Sequence, residues 1–502
     1  MAQRLPRPPA SGTRLAVAAG HPLAVSAALR IGAAGGNAAD AAAAAAAACA
    51  VALPNACGVA GDALLLVSEP SGKVTAVNGA GVAPAGVQAP VPHDGGATVA
   101  VPGFVSGLAE LSERWGRLGL GAALEPAGAL ARDGVPAGAR VVAALHEQLP
   151  RLLRGGAASS PWLPGDRPAQ VGDVVRQPAL AESLETIAAR GAAGFYHGEL
   201  AASIERAVKR DGGALTRRDL EEHTATVRSP VSAYYRGARI HVQPPSSQAL
   251  LLAMALIRLD RDAREPGAHG IHRAVEALLG AFAHRDEIAV DGAEDRLLAA
   301  AAELPIASQA TGAAGPVGYN HTTAVCTADA DGLVVSMLVS VFDDFGAATW
   351  VPEGGMFLND RLLGTSADPE SPNHVAPGRR PVHTLSPALL EFAGTVTGLA
   401  TPGADGQVQT LLQIIGAVVD DGAPLEEALD RPRWRSQDRA LLVEADFDPD
   451  VREALAGLGH RIEPRAPGDG LFGAACAAGC DPDRGTVTAW ADPRRDTAAG
   501  AW

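Results

Sequence analysis

Apolar and polar positions along this chain follow two rhythms, one of period two and one near 3.6, and the elements they predict alternate from end to end. Between Arg14 and Val67 the pattern predicts strand, helix, helix, strand. GGNAAD (Gly35 to Asp40) supplies a turn and a helix start, and CGVAGD (Cys57 to Asp62) a Gly-rich turn into LLLV. The most apolar run, Ala41 to Leu53, is mostly Ala and shorter than the roughly 20 residues of a membrane span. It predicts a buried helix stopped at Pro54. Residues 102–156 read as helical, and residues 177–222 as two helices parted by GAAGFYHG (Gly191 to Gly198). Tyr234 to Gln248 reads as one strand ending in a Pro-Pro loop, followed by a helix from Ala249 to Leu259.

From 288 to 321 an acidic helix gives way to ASQATGAAGPVGYNH, a linker composition. Strands return in TTAVCTADADGLVVSMLVSV, MFLNDRL and PALLEFAGTVTGLA, then a helix from Val408 to Val419 and a closing α/β segment. Residues 1–13 read as a loose tail with no apolar leader after it, and no solenoid repeat occurs. Hairpins and helices in blocks predict an α+β layered sandwich.

Composition narrows the function. The net charge of −15, with basic residues scattered, argues against nucleic-acid or anionic-membrane partners. Five cysteines at irregular spacing give no disulfide framework; Cys476 and Cys480 lack a second ligand pair, so a zinc reading is weak, and a reducing, cytoplasmic setting is expected. Both lysines, Lys73 and Lys209, lie outside any phosphate-binding loop. No G-x-S-x-G occurs, and His146-Glu147 meets Pro150 where a metalloprotease helix needs its second His.

The informative segment is NHTTAVCTADADGLVVSMLVS. Its turn, Asp329-Ala330-Asp331-Gly332, predicts a short hairpin loop with Gly332 at positive φ. If Asp329 pairs with Leu333, Thr322 falls opposite Ser340, and cross-strand partners lie about 5 Å apart. A hydroxyl at a strand start thus sits beside a second hydroxyl, just after a linker. A free N-terminal Thr carries its own base, an α-amine of pKa about 7.7–8.0. It can activate its own Oγ as a nucleophile. The alternative is that Thr322 and Thr323 are ordinary strand residues.

In order along the chain, GGNAADAA at Gly35, ARDGVP at Ala131, GFYHGELA at Gly194, GGALTRRDL at Gly212, YRG at Tyr235 and PPSSQ at Pro244 resemble the γ-glutamyltransferase family of N-terminal-nucleophile hydrolases. NHTTAV at Asn320, FG at Phe345, LND at Leu358, RPVHTLSP at Arg380 and TPGADGQVQ at Thr401 extend the resemblance over almost the whole chain. The resemblance implies a four-layer αββα sandwich built from one precursor cut between His321 and Thr322. Its large part is 14–321, including a linker at 288–321, and its small part is 322–502. Thr322 is then both the agent of cleavage and the catalytic nucleophile, Ser340 its supporting hydroxyl, and the N–H groups of Gly403 and Ala404 the oxyanion hole. Ala404 stands where the family has Gly, which restricts φ.

The γ-glutamyl pocket departs from the family. Ala80 replaces the Arg that clamps the glutamyl carboxylate, Gly364 the Asp that holds the amine, His383-Thr384 a Ser-Ser pair, and Phe342 an Asn. Ala and Gly make no ion pair, so a small amide or acyl substrate other than a γ-glutamyl compound is expected. Asn359 and Asp360, read on a strand, line the pocket with Phe342, Thr384 and Ala80. His383 is read either as a donor to substrate or as a loop-holding His, and Arg379 and Arg380 either as anion binders or as solvated. Asp343 and Asp344 read as turn residues, and Asp62 and Asp405 as loop-orienting. No metal or organic cofactor is implied. The expected partners are a small substrate and the two subunits of one precursor, and a homo-oligomer is compatible. Two alternatives stand beside amide hydrolysis: carbon–carbon cleavage in alkylproline-type biosynthesis, and an unprocessed binding or scaffold relative.

Overall fold

The computed structural model describes residues 7–290, 292–313 and 321–502. Two seven-stranded antiparallel sheets lie face to face. One runs in the order Ala10–Gly12, Thr486–Ala491, Cys476–Asp481, Thr395–Ala400, Ala388–Phe392, Ala238–Val242, Val231–Tyr235. The other runs Ala498–Ala501, Leu15–Ala19, Thr323–Asp329, Val334–Ser340, Asp62–Ser68, Val74–Asn78, Thr226–Arg228. Ala16, Ala18, Leu64, Leu66, Ala324 and Cys326 of this second sheet meet Leu389, Ala400, Cys476 and Ala478 of the first in a thin inter-sheet core. Helices Pro22–Ala33, Ala38–Ala52 and Phe104–Trp115 cover the outer face of the second sheet, and Ala249–Asp260, Gly267–Phe282 and Gln407–Asp421 cover the first. The four-layer αββα sandwich is as expected, and both sheets draw strands from either side of position 321.

Coverage on both faces explains the sequence pattern. All seven residues of Asp62–Ser68, Thr323–Asp329 and Val334–Ser340 are buried, so these strands read as continuous runs rather than alternations. The Ala-rich helix obeys the same constraint. All fifteen residues of Ala38–Ala52 are buried, and only small side chains fit between sheet and flanking helices. Its start is a reciprocal cap: the Asn37 side chain accepts from the backbone of Ala39 and Asp40, and Asp40 accepts from Asn37 N–H.

Four expectations are corrected. Residues 10–12, placed in a loose tail, pair with 487–489 as an edge strand, while residues 1–6 of that tail lie outside the described residues. The strand read from Tyr234 to Gln248 is half of a hairpin: Arg236 and Gly237 have φ of 47° and 84°, a two-residue turn joining Val231–Tyr235 to Ala238–Val242. Asn359 and Asp360 do not lie on a strand; Met356–Phe357 is only two residues long, and the chain passes into a helical turn at Arg361–Gly364. In the segment 288–321 the expected acidic helix is Ala293–Ala301, but residues 302–313, read as linker, are tied down by Ala310 N–H to Leu458 O and by His272 Nε2 to Ala307 O. The rest of the linker, 314–320, lies outside the described residues.

Asp329 couples two of these elements. Its Oδ1 accepts the N–H groups of Asp331 and Leu333, closing the hairpin turn, and its Oδ2 accepts the N–H of Ala38, opening the Ala-rich helix. Asp329→Ala removes both caps and is expected to cost about 1–3 kcal/mol, read as a lowered urea midpoint with unchanged slope.

Candidate active site

The hairpin turn fixes the site. Asp329 N–H donates to Leu333 O at 3.1 Å, and Gly332 has φ of 89°. Thr323 pairs with Val339, so Thr322 stands opposite Ser340, the register expected from the turn. Ser340 pairs in turn with Asp62 of the next strand. Ala324 and Cys326 point into the inter-sheet core, so by alternation Thr322, Ser340 and Asp62 share that face, in a row at the mouth between the sheets. All three are buried.

The two hydroxyls converge on one peptide bond. Thr322 Oγ1 lies 2.6 Å from the carbonyl oxygen of His321 and 3.2 Å from Ser340 Oγ. Ser340 Oγ donates to the same carbonyl at 3.0 Å and accepts the N–H of Phe342 at 2.9 Å. Ser340 thus accepts from Thr322 while polarising the carbonyl beside it. His321 Nδ1 lies 2.8 Å from Asp344 Oδ1, which also accepts from Asn55. Asp344 is therefore more than the turn residue expected, because it holds the residue before Thr322.

From the facing sheet, Thr395–Ala400 runs into Thr401-Pro402-Gly403-Ala404 and then helix Gln407–Asp421. Pro402 and Thr322 line one cavity of about 280 Å³, with His321, Asp344, Arg140 and Glu147. Gly403 has φ of 129°, and Ala404 takes φ of 48° despite its Cβ. Such strain in a non-glycine residue costs on the order of 1–3 kcal/mol. Gln248 offsets it, its Nε2 donating to Ala404 O at 3.0 Å and Thr384 O at 3.2 Å. Neither the Gly403 nor the Ala404 N–H donates to another group among the described residues.

Several expected substrate contacts are occupied by the fold itself. Asn359 is buried; its Oδ1 accepts from Ala100 and Arg361 N–H, and its Nδ2 donates to Ala60 O and Ala100 O. Asp360 accepts from Asp343 N–H and faces Arg151. His383 uses both nitrogens, Nε2 on Asp62 Oδ2 at 3.1 Å and Nδ1 accepting from Leu385 N–H. Of the two readings of His383, this is the loop-holding one. Burial, then the Arg361 charge, lowers its pKa to about 4, so it is neutral. Ala80 is buried, and its carbonyl accepts from Arg380 Nε at 2.9 Å. Arg379 donates to Pro372 O and His374 O. Asp405 pairs with Arg285 at 3.4 Å. Gly364 lies so close to Phe342 that a Cβ would sit 3.8 Å from the ring. Thr384 and Phe342 are both buried; the Phe342 N–H meets Ser340 Oγ, and Thr384 O accepts from Gln248.

Sequence reasoning missed Arg361. It has no exposed surface and pairs through Nε with Asp62 Oδ2 at 2.8 Å. Burial works against the Asp62 charge, but Arg361 and His383 outweigh it and hold the carboxyl below its ordinary value. The signal was a lone Arg after LND, in a run otherwise apolar enough to be interior.

Among the described residues, one group has the spacing to hold a metal ion: His272, Glu276 and His460, on the outer helical layer, where His272 Nδ1 and His460 Nε2 lie 2.8 Å apart. All five cysteines are free and buried. No helix among the described residues is long and apolar enough to cross a membrane.

The fold is that of the N-terminal-nucleophile hydrolases. Within that class the chain belongs to the gamma-glutamyltranspeptidase family, whose sequence pattern matches residues 24–502. It is 32% identical to the oxamate amidohydrolase proenzyme of Klebsiella pneumoniae, over 96% of this chain and 97% of that protein. It is 32% identical to the glutathione hydrolase-like YwrD proenzyme of Bacillus subtilis, over 97% and 98%. The crystal structure of cephalosporin acylase from Bacillus halodurans superposes with a TM-score of 0.92 at 30% identity, covering 100% of this chain and 98% of that one. Family and neighbours make the chain a hydrolase or acyltransferase of this family.

The buried Asp360 and the half-buried Asp343 form an acidic pair beside the site. Burial and then the Asp343 charge raise the Asp360 pKa to about 7, and burial raises that of Asp343. The folded state therefore binds protons that the unfolded chain, with carboxyls near 4, releases. Stability contributed by the protonated form is present at low pH and is lost as pH rises from about 4 through about 7. Asp360→Asn keeps the acceptor for Asp343 N–H without the charge. It is expected to reduce the drop in Tm between pH 6 and pH 8, measured by calorimetry beside the wild type.

Proposed function

We propose that this protein is a self-processing N-terminal-threonine amidohydrolase that cuts itself between His321 and Thr322 and then hydrolyses a small amide that is not a γ-glutamyl compound. The observation that carries the reading is the approach of Thr322 Oγ1 to the His321 carbonyl, with Ser340 donating to that same oxygen. Attack of Oγ1 on the His321 carbonyl carbon moves the acyl group from nitrogen to oxygen. The hydroxyl proton leaves through Ser340, and the amide nitrogen becomes the Thr322 α-amine. Water then cleaves the ester, leaving a His321 carboxylate and a free N-terminal Thr. In the second reaction that amine, of pKa about 7.7–8.0, takes the Oγ1 proton. Oγ1 attacks the substrate carbonyl, and the unengaged N–H groups of Gly403 and Ala404 receive the oxyanion. The amine leaves with a proton, and water resolves the acyl ester. Loss of the arginine at the Ala80 position, and an Arg380 turned onto the Ala80 carbonyl, support a substrate other than a γ-glutamyl one.

Intact mass of fresh protein checks the first step. The 50.8 kDa chain is expected to yield fragments of about 32 and 18 kDa, with Thr322→Ala uncut. A Thr322→Ala chain that matures and turns over amides overturns the mechanism. Ser340→Ala is expected to slow processing at least tenfold in a time course, because the carbonyl loses its donor and Thr322 its proton acceptor.

A further inference from the structure

On the outer helical layer, three side chains with no part in the Thr322 chemistry converge. His272 and Glu276 lie on helix Gly267–Phe282, four residues apart and so on one face. His460 follows helix Pro449–Gly457, which packs against that helix. The three are only 4%, 3% and 9% exposed. One ligand atom from each lies within 4.8 Å of the other two.

Their hydrogen bonds define which atoms are free to coordinate. His272 Nε2 lies 2.8 Å from Ala307 O. A carbonyl only accepts, so Nε2 carries the proton, and in the neutral ring Nδ1 turns its lone pair toward His460. His460 Nε2 lies 2.8 Å from that Nδ1, with the ring planes 67° apart. Glu276 Oε1 accepts from Thr311 N–H at 3.3 Å, and Glu276 forms no ion pair among the described residues. A carboxylate so buried is costly without a cation. Two imidazole nitrogens and a carboxylate are the donor set of zinc and its transition-metal neighbours rather than of calcium or magnesium. The hydrogen bond from His272 to a backbone carbonyl is the outer contact that orients metal-bound histidines.

The geometry needs little adjustment. Nitrogens bound about 2.0–2.1 Å from a four-coordinate ion stand about 3.3 Å apart, so the two rings must part by about half an ångström. His460 then carries its proton on Nδ1 instead of Nε2. The cluster also spans position 321, because His272 and Glu276 precede it and His460 follows it. The same residues hold the segment leading to it, through Ala307 O and Thr311 N–H, while Ala310 N–H donates to Leu458 O.

We propose that His272 Nδ1, Glu276 and His460 Nε2 form a structural site for one zinc-type divalent ion, with water completing its coordination. The ion ties the segment before position 321 to the part of the chain beyond it. The site does not depend on Thr322 being the nucleophile.

Protein stripped with EDTA, freed of the chelator and titrated calorimetrically with Zn²⁺ tests this. One ion is expected per chain, with Tm raised by its binding. His460→Gln keeps a donor for His272 Nδ1, and Glu276→Gln keeps an acceptor for Thr311 N–H. Each is expected to weaken Zn²⁺ binding at least tenfold, whereas His269→Gln, at an exposed histidine of the same helix, leaves it unchanged. Should neither of the first two variants fold, X-ray absorption at the zinc edge of the wild-type protein decides, and two imidazole ligands are expected. The proposal is overturned if the stripped protein takes up no Zn²⁺. It is equally overturned if either folded variant binds Zn²⁺ as tightly as the wild type, or if the bound zinc carries fewer than two imidazoles.

Discussion

The pairing register of one hairpin governs the rest of the structure. Side chains alternate with a period of two, so a slip of a single residue would turn Thr322 from the inter-sheet mouth into the helical layer. Asp329 prevents the slip from both directions. It closes the turn with one oxygen and holds the first N–H of the Ala-rich helix with the other. That helix packs along the strand that begins at Thr323, where Gly20 leaves room for the Thr323 hydroxyl and no larger residue fits. A carboxylate at one end of the strand thus aims a hydroxyl at the other.

The interleaved sheets make a break at this strand's start harmless to the fold. Thr323–Asp329 is bonded on both edges, to Leu15–Ala19 and to Val334–Ser340, so it needs no covalent link to residue 321 to stay in place. The chain before 321 contributes strands to both sheets, and so does the chain after it. Separating the two would expose the inter-sheet core and both helix-covered faces, a far larger loss than one peptide bond's worth of chain entropy.

The layered fold was legible because its determinants are local: alternation or continuous burial in strands, Ala where helix meets sheet, Gly at the hairpin turn. Thr322 and Ser340 were legible for the same reason, since eighteen residues and one turn relate them. The pocket was not, because its contacts are made by residues roughly 300 positions apart, such as Asp62 with Arg361 and His383. Family resemblance pointed to Asn359, Asp360 and His383 as substrate contacts but could not say that their polar atoms are engaged by backbone, Arg151 and Asp62. The hairpin at Arg236-Gly237 was missed for a different reason: Arg seldom takes positive φ, so the dipeptide did not read as a two-residue turn.

Strain and unsatisfied polarity occur around the site as well as elsewhere in the described residues. At the site Phe342 and Ala404 both hold positive φ, and Arg361, over the Phe342 ring, has two buried Nη atoms without partners among the described residues. None of these stabilises the fold, and each is tolerated because the surrounding layers are tightly packed and capped. Ala404 shows the logic most directly. A glycine would take its backbone angle at no steric cost, yet the chain carries a methyl group and secures the strained turn with Gln248, which also binds Thr384.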